Sequence, residues 1–215
     1  MRTQSSRRGG KIQGKRTILL TGFRPYGGER SNASQALIRA LRRHPPSLKQ
    51  VATLNFAILP AEPLQLEAAL HVLLRRHQPD DVLMFGQAPG RNRICLERVA
   101  RNQFQDRPVR SGGQACYRAT LPGQARTLRA LHRAGIPARF SDDAGDYLCN
   151  MALYLVLEHA RKTGSNTRAG FVHVPVLPRQ VINFWPDAPC LSLDTLQQAA
   201  RLILATLAVE RKATY

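Results

Sequence analysis

Cys149 and His173 are the residues of this 215-residue chain whose types and positions point to nucleophilic chemistry. Cys149 ends the sequence Gly-Asp-Tyr-Leu-Cys and opens an apolar helical pattern, whereas residues 170–175 around His173 are typical of a short buried strand. A thiol attacks as its thiolate, and both a helix N-terminus and a nearby imidazolium favour that anion. We therefore interpret the pair as a thiol nucleophile and its base; a buried structural cysteine and a core histidine are the alternatives.

Glu97 is the candidate for a third member, because a carboxylate commonly orients the imidazole in such sites. Its alternative role is a salt bridge with Arg98 or Arg101. The remaining histidines all lie in or beside arginine-rich helical segments, which favours exposure to solvent: His44, His71, His77, His132 and His159. His173 is therefore the best candidate for the base.

The order of the predicted elements indicates how these residues are positioned. Apolar runs predict strands over residues 17–23, 51–59, 81–86, 94–99, 136–140 and 169–174. Helical spacing predicts helices over residues 34–43, 64–76, 125–134, 147–162 and 193–211, with residues 102–118 irregular. Alternating strands and helices predict an α/β fold: a single three-layer α/β/α domain, with a mostly parallel mixed sheet, over residues 16–215. Residues 1–15 are polar and basic, and we expect a disordered extension there.

Three of the predicted strands end in residues suited to a binding site. Sites in such folds form beyond the carboxyl ends of the strands. Phe23, Gln87 and His173 stand at or beside three such ends, next to Gly22 and Gly86 in two of them. The sequence therefore predicts one pocket at this edge of the sheet.

The chain carries a strong positive charge, with 32 Lys and Arg against 14 Asp and Glu and a net charge of +18. Arginine dominates, and its guanidinium suits phosphate recognition. The arginines are scattered rather than clustered, which favours a solvated basic surface instead. We expect only non-specific, salt-sensitive attraction to nucleic acid.

The spacing of the cysteines bears on disulfides, zinc binding and cellular compartment. The four cysteines are far apart, without a Cys-x-x-Cys pair or ligand-like spacing to histidine, which argues against a disulfide framework and a zinc site. Reduced thiols in the cytoplasm are the expectation. No apolar run reaches the length of a membrane span. Arg7 and Arg8 are not followed by the apolar stretch that a twin-arginine signal peptide requires.

Several linked motifs, in the same order, resemble those of the pyrrolidone-carboxylate peptidase family of cysteine peptidases, also called pyroglutamyl peptidase I. Residues 21–28, Thr-Gly-Phe-Arg-Pro-Tyr-Gly-Gly, are similar to that family's TGFEPFGG opening, and Asn32 follows. Residues 86–91 and 97–102 are similar to its glutamate signature, residues 144–150 to its cysteine signature, and residues 170–175 to its histidine segment. The resemblance covers residues 17–185, and so nearly the whole domain.

This resemblance implies a function and a site. The function is removal of an N-terminal pyroglutamyl residue from peptides by a triad of Cys149, His173 and Glu97, through a thioester acyl-enzyme and without metal or cofactor. The resemblance also implies substrate contacts: aromatic rings flanking the lactam, an amide beside it and an arginine near the oxyanion. These contacts are Phe23, Tyr26, Gln87 and Arg107. A homo-oligomer is implied as well.

The chain departs from the family pattern at five places. Arg24 replaces a glutamate, Tyr26 a phenylalanine, Cys95 a serine or threonine, and Asp146 a threonine, while residues 107–120 form a shorter segment. A carboxylate at Asp146 would oppose thiolate formation if it pointed towards the nucleophile. Two alternatives therefore stay open: an amide hydrolase with a shifted ring preference, and a diverged scaffold with altered or lost peptidase activity that binds a polyanion such as nucleic acid.

Overall fold

The computed structural model of the chain describes residues 15–48 and 52–209. The predicted basic extension lies outside the described residues, apart from Lys15. The strands are β1 (Arg16–Phe23), β2 (Ala52–Leu59), β3 (Asp81–Gln87), β4 (Ile94–Glu97), β5 (Val99–Arg101), β6 (Cys116–Arg118), β7 (Ala138–Ser141) and β8 (Arg168–Val174). The helices are α1 (Ala33–Arg43), α2 (Pro63–His77), α3 (Gln124–Arg133), α4 (Leu148–Thr163), α5 (Pro178–Asn183) and α6 (Leu193–Val209).

A mixed sheet of six strands forms the middle layer, in the order β2-β1-β3-β8-β4-β7. Strands β1, β2, β3 and β8 run parallel, whereas β4 is antiparallel to β8 and parallel to β7. The predicted mostly parallel mixed sheet is confirmed. The antiparallel direction of β4 matters for the site, because it places Glu97 beside β8.

Alternate residues of the strands point into two separate cores. In β1, Ile18 and Leu20 pack with α1, α3 and α6, whereas Leu19 and Phe23 pack with α2 and α4. Strands that are buried on both faces read as continuous apolar runs, as β1 and β3 do. The predicted three-layer α/β/α architecture is therefore confirmed. None of the helices in the described ranges is both long and apolar enough to cross a membrane.

The structure corrects the prediction in short segments. The strand predicted over residues 94–99 is two strands, β4 and β5, which belong to different sheets. The stretch predicted as irregular contains β6, which pairs with β5 in a small antiparallel sheet. Helix α5 was not predicted at all. Three-residue strands and a six-residue helix are too short to show a period, so propensity alone does not reveal them.

Candidate active site

His173 and Glu97 form a buried contact at the junction of β8 and β4. Nδ1 of His173 lies 2.8 Å from Oε1 of Glu97, and only 4% and 1% of the two residues are exposed. In the antiparallel register Cys95 stands opposite His173, and Glu97 opposite Phe171. Glu97 lies two residues after Cys95 in β4, so its side chain is on the same face of the sheet as those of Cys95 and His173. It therefore reaches the His173 imidazole diagonally. A carboxylate on Nδ1 fixes the tautomer and leaves Nε2 for chemistry.

Cys149 is the second residue of α4, which begins after Tyr147 without a side-chain cap. The first hydrogen bond of this helix runs from the Met151 N–H to the Tyr147 carbonyl, at 3.0 Å. The N–H groups of Leu148, Cys149 and Asn150 therefore have no acceptor within the helix. Such groups, with the helix dipole, favour an anion at this end, both a thiolate and a developing oxyanion.

Cys149 and His173 interact electrostatically. Burial of the imidazole lowers its pKa, but the charge and hydrogen bond of Cys149, followed by those of Glu97, outweigh it and raise the pKa of His173 to about 9. His173 is then a cation at neutral pH, beside the sulfur of Cys149 at the start of α4. The structure thus brings together all three residues that the sequence analysis proposed as the triad.

Arg91 stands behind Glu97 and was not assigned a role from the sequence. Its Nη1 lies 3.4 Å from Oε1 of Glu97 and donates to the Ser141 hydroxyl at 3.1 Å, while Nη2 donates to the Asp143 carbonyl. The other oxygen of Glu97, Oε2, is buried and has no hydrogen-bond partner in the described residues. A nearby guanidinium favours the ionised carboxylate against the cost of its burial. Arg91 therefore supports the charge that orients His173.

Gly86 leaves room for the side chain of Cys149. A Cβ at this position would lie 2.5 Å from Cζ of Phe171 and 2.8 Å from Sγ of Cys149. In β3, Gly86 is also the neighbour of His173 across the sheet. Only glycine lets the sulfur and the aromatic ring approach the strand this closely.

We expect Gly86→Ala to displace Cys149 and Phe171 together. Overpacking of this kind costs about 1–3 kcal/mol of unfolding free energy, and a displaced nucleophile costs about 100-fold in activity. Thermal denaturation and kcat/KM measured on the same preparations check both effects. Gly90→Ala is the matched control, because nothing lies within 4 Å of a Cβ added there. Equal losses in the two variants would contradict the assigned role of Gly86.

A cavity of about 230 Å³ opens beside Cys149 at the carboxyl edge of the sheet. Phe23, Tyr26 and Gln87, three of the four substrate contacts implied by the sequence, line it together with the nucleophile. Its other lining residues are Arg24, Glu29, Asn32, Ala61, Pro89, Tyr147, Leu148 and Trp185. Aromatic rings with a few polar side chains suit a small ligand that is flat and uncharged.

The Gln87 side chain is held by a network of amides and a carboxylate. Its Oε1 accepts from the Ala33 N–H and from Nε2 of Gln180, both at 2.7 Å, and its Nε2 donates to Oε2 of Glu29 at 2.9 Å. Gln180 is 1% exposed and also donates to Glu29 at 3.1 Å. The network therefore fixes one wall of the cavity. Sequence reasoning missed Gln180, since α5 was not predicted.

Asn32 supplies the cavity with a second amide. Its Oδ1 caps α1 by accepting from the N–H of Ser34 at 2.9 Å and from the Ser34 hydroxyl at 2.7 Å. Its amide nitrogen has no hydrogen-bond partner among the described residues, and it is available to a ligand. An asparagine just before a predicted helix is a capping signal, which could have identified the cap but not its second role.

Arg107 and Asp146 lie away from the cavity wall. Both are exposed, and neither lines the cavity. Arg107 exchanges backbone hydrogen bonds with Phe104, and the Asp146 carbonyl accepts the Gln105 N–H at 2.6 Å. Because Asp146 is exposed, solvent screens its carboxylate, and the expected opposition to the thiolate is small.

Asn150, next to the nucleophile, holds the segment that leads to Arg107. Its Nδ2 donates to the carbonyls of Arg101 at 2.9 Å and Gln103 at 2.6 Å, and its Oδ1 accepts the Arg101 N–H at 2.8 Å. Further along the same segment, Arg110 pairs with Glu67 and Glu158. These contacts tie residues 101–110 to α2 and α4.

The site joins a thiol, an imidazole and a carboxylate in space. Helix N–H groups without an acceptor in the helix and an aromatic cavity lie beside them, and together these features define a class of protein. This is the arrangement of a thiol hydrolase that works through an acyl-enzyme. In the described ranges, no group of three or more His, Cys, Asp or Glu side chains is placed to hold a metal ion.

The comparisons with known proteins agree on one family. The family model described as pyroglutamyl peptidase matches residues 16–211. The pyrrolidone-carboxylate peptidase of Vibrio vulnificus is 37% identical over 203 residues, covering 89% of this chain and 92% of the relative. That of Thermococcus onnurineus is 37% identical over 201 residues, covering 88% and 97%. The crystal structure of Bacillus amyloliquefaciens pyroglutamyl peptidase I has a TM-score of 0.83 and 31% identity, covering 91% and 98%. The chain belongs to the pyroglutamyl peptidase family, a family of cysteine peptidases, as its motifs predict.

Proposed function

We propose that this chain is a cysteine exopeptidase that removes N-terminal pyroglutamyl residues from peptides. The observation that carries the proposal is the position of Cys149: it interacts with His173, which is in turn bound to Glu97, and it also lines the aromatic cavity. Nucleophile and acyl-binding site are therefore adjacent. The family and its named relatives support the same reaction.

The proposed reaction uses groups of the protein itself and water. The Cys149 thiolate attacks the pyroglutamyl carbonyl, and the N–H groups at the start of α4 stabilise the oxyanion. The His173 imidazolium gives its Nε2 proton to the leaving amine as the C–N bond breaks and a thioester forms. Water then attacks the thioester while His173 takes its proton, and the Cys149 thiolate leaves. Glu97 remains ionised throughout and stabilises the imidazolium.

The lactam ring would lie between Phe23 and Tyr26, with its polar edge on the amides of Asn32 and Gln87. Tyr26 and Tyr147 have ring centroids 5.1 Å apart, and the hydrogen bond between their hydroxyls is the main cause that raises the pKa of Tyr147 to about 12. The Tyr26 hydroxyl is thus engaged by a protein group. Tyr26 therefore presents its ring to the substrate as the family's phenylalanine would, and a shifted ring preference is not expected.

Arg107 remains a proposed oxyanion contact. Its neighbour Phe104 stacks on Tyr147 at 5.2 Å, so the segment already adjoins the cavity. Arg107 would approach the carbonyl oxygen only when that segment closes over bound substrate.

The test is hydrolysis of pyroglutamyl-p-nitroanilide beside prolyl-p-nitroanilide, which has a ring of similar size but lacks the lactam carbonyl. We expect the protein to release p-nitroaniline from the first and not from the second. Asn32→Ser keeps a helix-capping side chain and removes the free amide nitrogen. A raised KM in this variant would support the assigned contact. Absence of turnover by folded protein would refute the proposal.

The polyanion-binding alternative rests on the net charge of +18. It predicts duplex DNA binding that persists at high salt with a sequence preference, whereas weak, salt-sensitive binding reflects the charge alone. An intact triad beside a cavity favours the peptidase. We further propose a cytoplasmic location, because all four cysteines are free thiols. We also propose a homo-oligomer, which the exposed Leu64 and Val72 of α2 support.

A further inference from the structure

The cavity has a buried floor and an exposed rim. Phe23, Asn32 and Leu148 on the floor are each 8% exposed or less. Tyr26 and Trp185 on the rim are 49% and 38% exposed. A substrate whose acyl ring occupies the floor must send its leaving group past the rim. The side chains of the rim therefore contact the residue that follows pyroglutamate.

Arg24 is the charged side chain of this rim. It follows β1, its N–H donates to the Leu59 carbonyl at 2.9 Å, and its exposed side chain lines the cavity. Within residues 15–48 and 52–209, no carboxylate lies within ion-pair distance of its guanidinium. The guanidinium is thus both beside the cavity and available.

Two acidic side chains, Glu29 and Glu62, are nearby, and neither pairs with Arg24. The carboxylate of Glu29, which also lines the cavity, accepts hydrogen bonds from Gln87 and Gln180. Glu62 is exposed at the start of α2 near Tyr147 and does not line the cavity. Arg24 is therefore the charged group on the exposed rim, whereas the negative charge of Glu29 is held on the wall formed with Gln87 and Gln180.

We propose that Arg24 is a specificity-determining residue that favours pyroglutamyl peptides whose leaving group carries a carboxylate. This inference rests on the proposed function, and it names the substrate class within it. A carboxylate on the residue after pyroglutamate pairs with the guanidinium, whereas an ammonium is repelled. Because the rim is exposed, the pair is screened by salt and its effect is modest.

The experiment compares pyroglutamyl-glutamate amide, pyroglutamyl-glutamine amide and pyroglutamyl-lysine amide at low salt. We expect kcat/KM to fall in that order, by about two- to fivefold at each step. The free acid of pyroglutamyl-glutamine adds an α-carboxylate and separates this source from a side-chain carboxylate. Arg24→Gln should level the ratios, and Arg24→Glu should reverse them. Arg30→Gln, an exposed arginine of the same loop that does not line the cavity, should leave the ratios unchanged.

The outcomes separate the two proposals. Cleavage of all three amides at equal rates, with ratios that Arg24→Glu does not change, would overturn the role of Arg24 and leave the peptidase function standing. Cleavage of none would overturn both. A preference that disappears at high salt in the wild type and is absent in Arg24→Gln would support the proposal.

Discussion

Cys149→Ser is expected to lower kcat/KM for a pyroglutamyl fluorogenic amide by about 10⁴-fold or more. The start of α4 and the His173 imidazolium both favour an anion at this position. The proposed nucleophile is a thiolate, whereas a serine hydroxyl is a far weaker acid and stays protonated there. Steady-state kinetics measure the loss. Thermal denaturation should be nearly unchanged, because the two side chains differ little in size.

Cys116→Ser is the matched control, since Cys116 is an exposed free thiol on the small β5–β6 sheet. We expect it to retain full activity. Iodoacetamide should inactivate the wild type and the Cys116→Ser variant alike, with mass spectrometry locating the alkyl group on Cys149. Inactivation that follows alkylation of Cys116 instead, or turnover that survives Cys149→Ser, would show that the nucleophile is misassigned.

The layered fold and three of the strand ends are predictable from the sequence, because long apolar runs and helical periods identify buried elements. Residues predicted for this edge of the sheet do lie together, because Phe23, Gln87 and Cys149 line one cavity and Cys149 interacts with His173. Glu97 did not follow from that rule, because β4 is antiparallel and the residue enters from the other chain direction. Strand direction depends on the whole topology and leaves no local signal.

The supporting side chains were less accessible to sequence reasoning. Arg91, Gln180 and Asn150 each make hydrogen bonds to residues between 47 and 151 positions away along the chain. No spacing rule connects such partners, since they meet only after the sheet has formed. Arg107 shows the converse, because a resemblance places it near the reaction centre while the structure leaves its side chain exposed.

Glu97→Gln is expected to lower kcat/KM by about 10³-fold or more, as the loss of an orienting carboxylate does in other triads. Glutamine keeps the size of the side chain, but it removes the negative charge beside Nδ1 of His173. It also leaves the Arg91 guanidinium uncompensated near the site. Both changes disfavour the imidazolium. The pKa of His173, raised to about 9 by Cys149 and Glu97, should therefore fall towards its ordinary value of 6.5.

The pH dependence distinguishes this electrostatic role from simple loss of structure. In the wild type, activity that requires the imidazolium should decline as pH rises through about 9. In Glu97→Gln the same alkaline decline should move to lower pH, whereas a merely loosened site would lose activity at all pH values without moving it. Glu67→Gln removes another arginine-bound carboxylate, that of the Arg110 pair, and should leave the profile in place. An alkaline limb that does not move in Glu97→Gln would mean that Cys149 alone sustains the His173 cation, and Glu97 would then act only by orienting the ring.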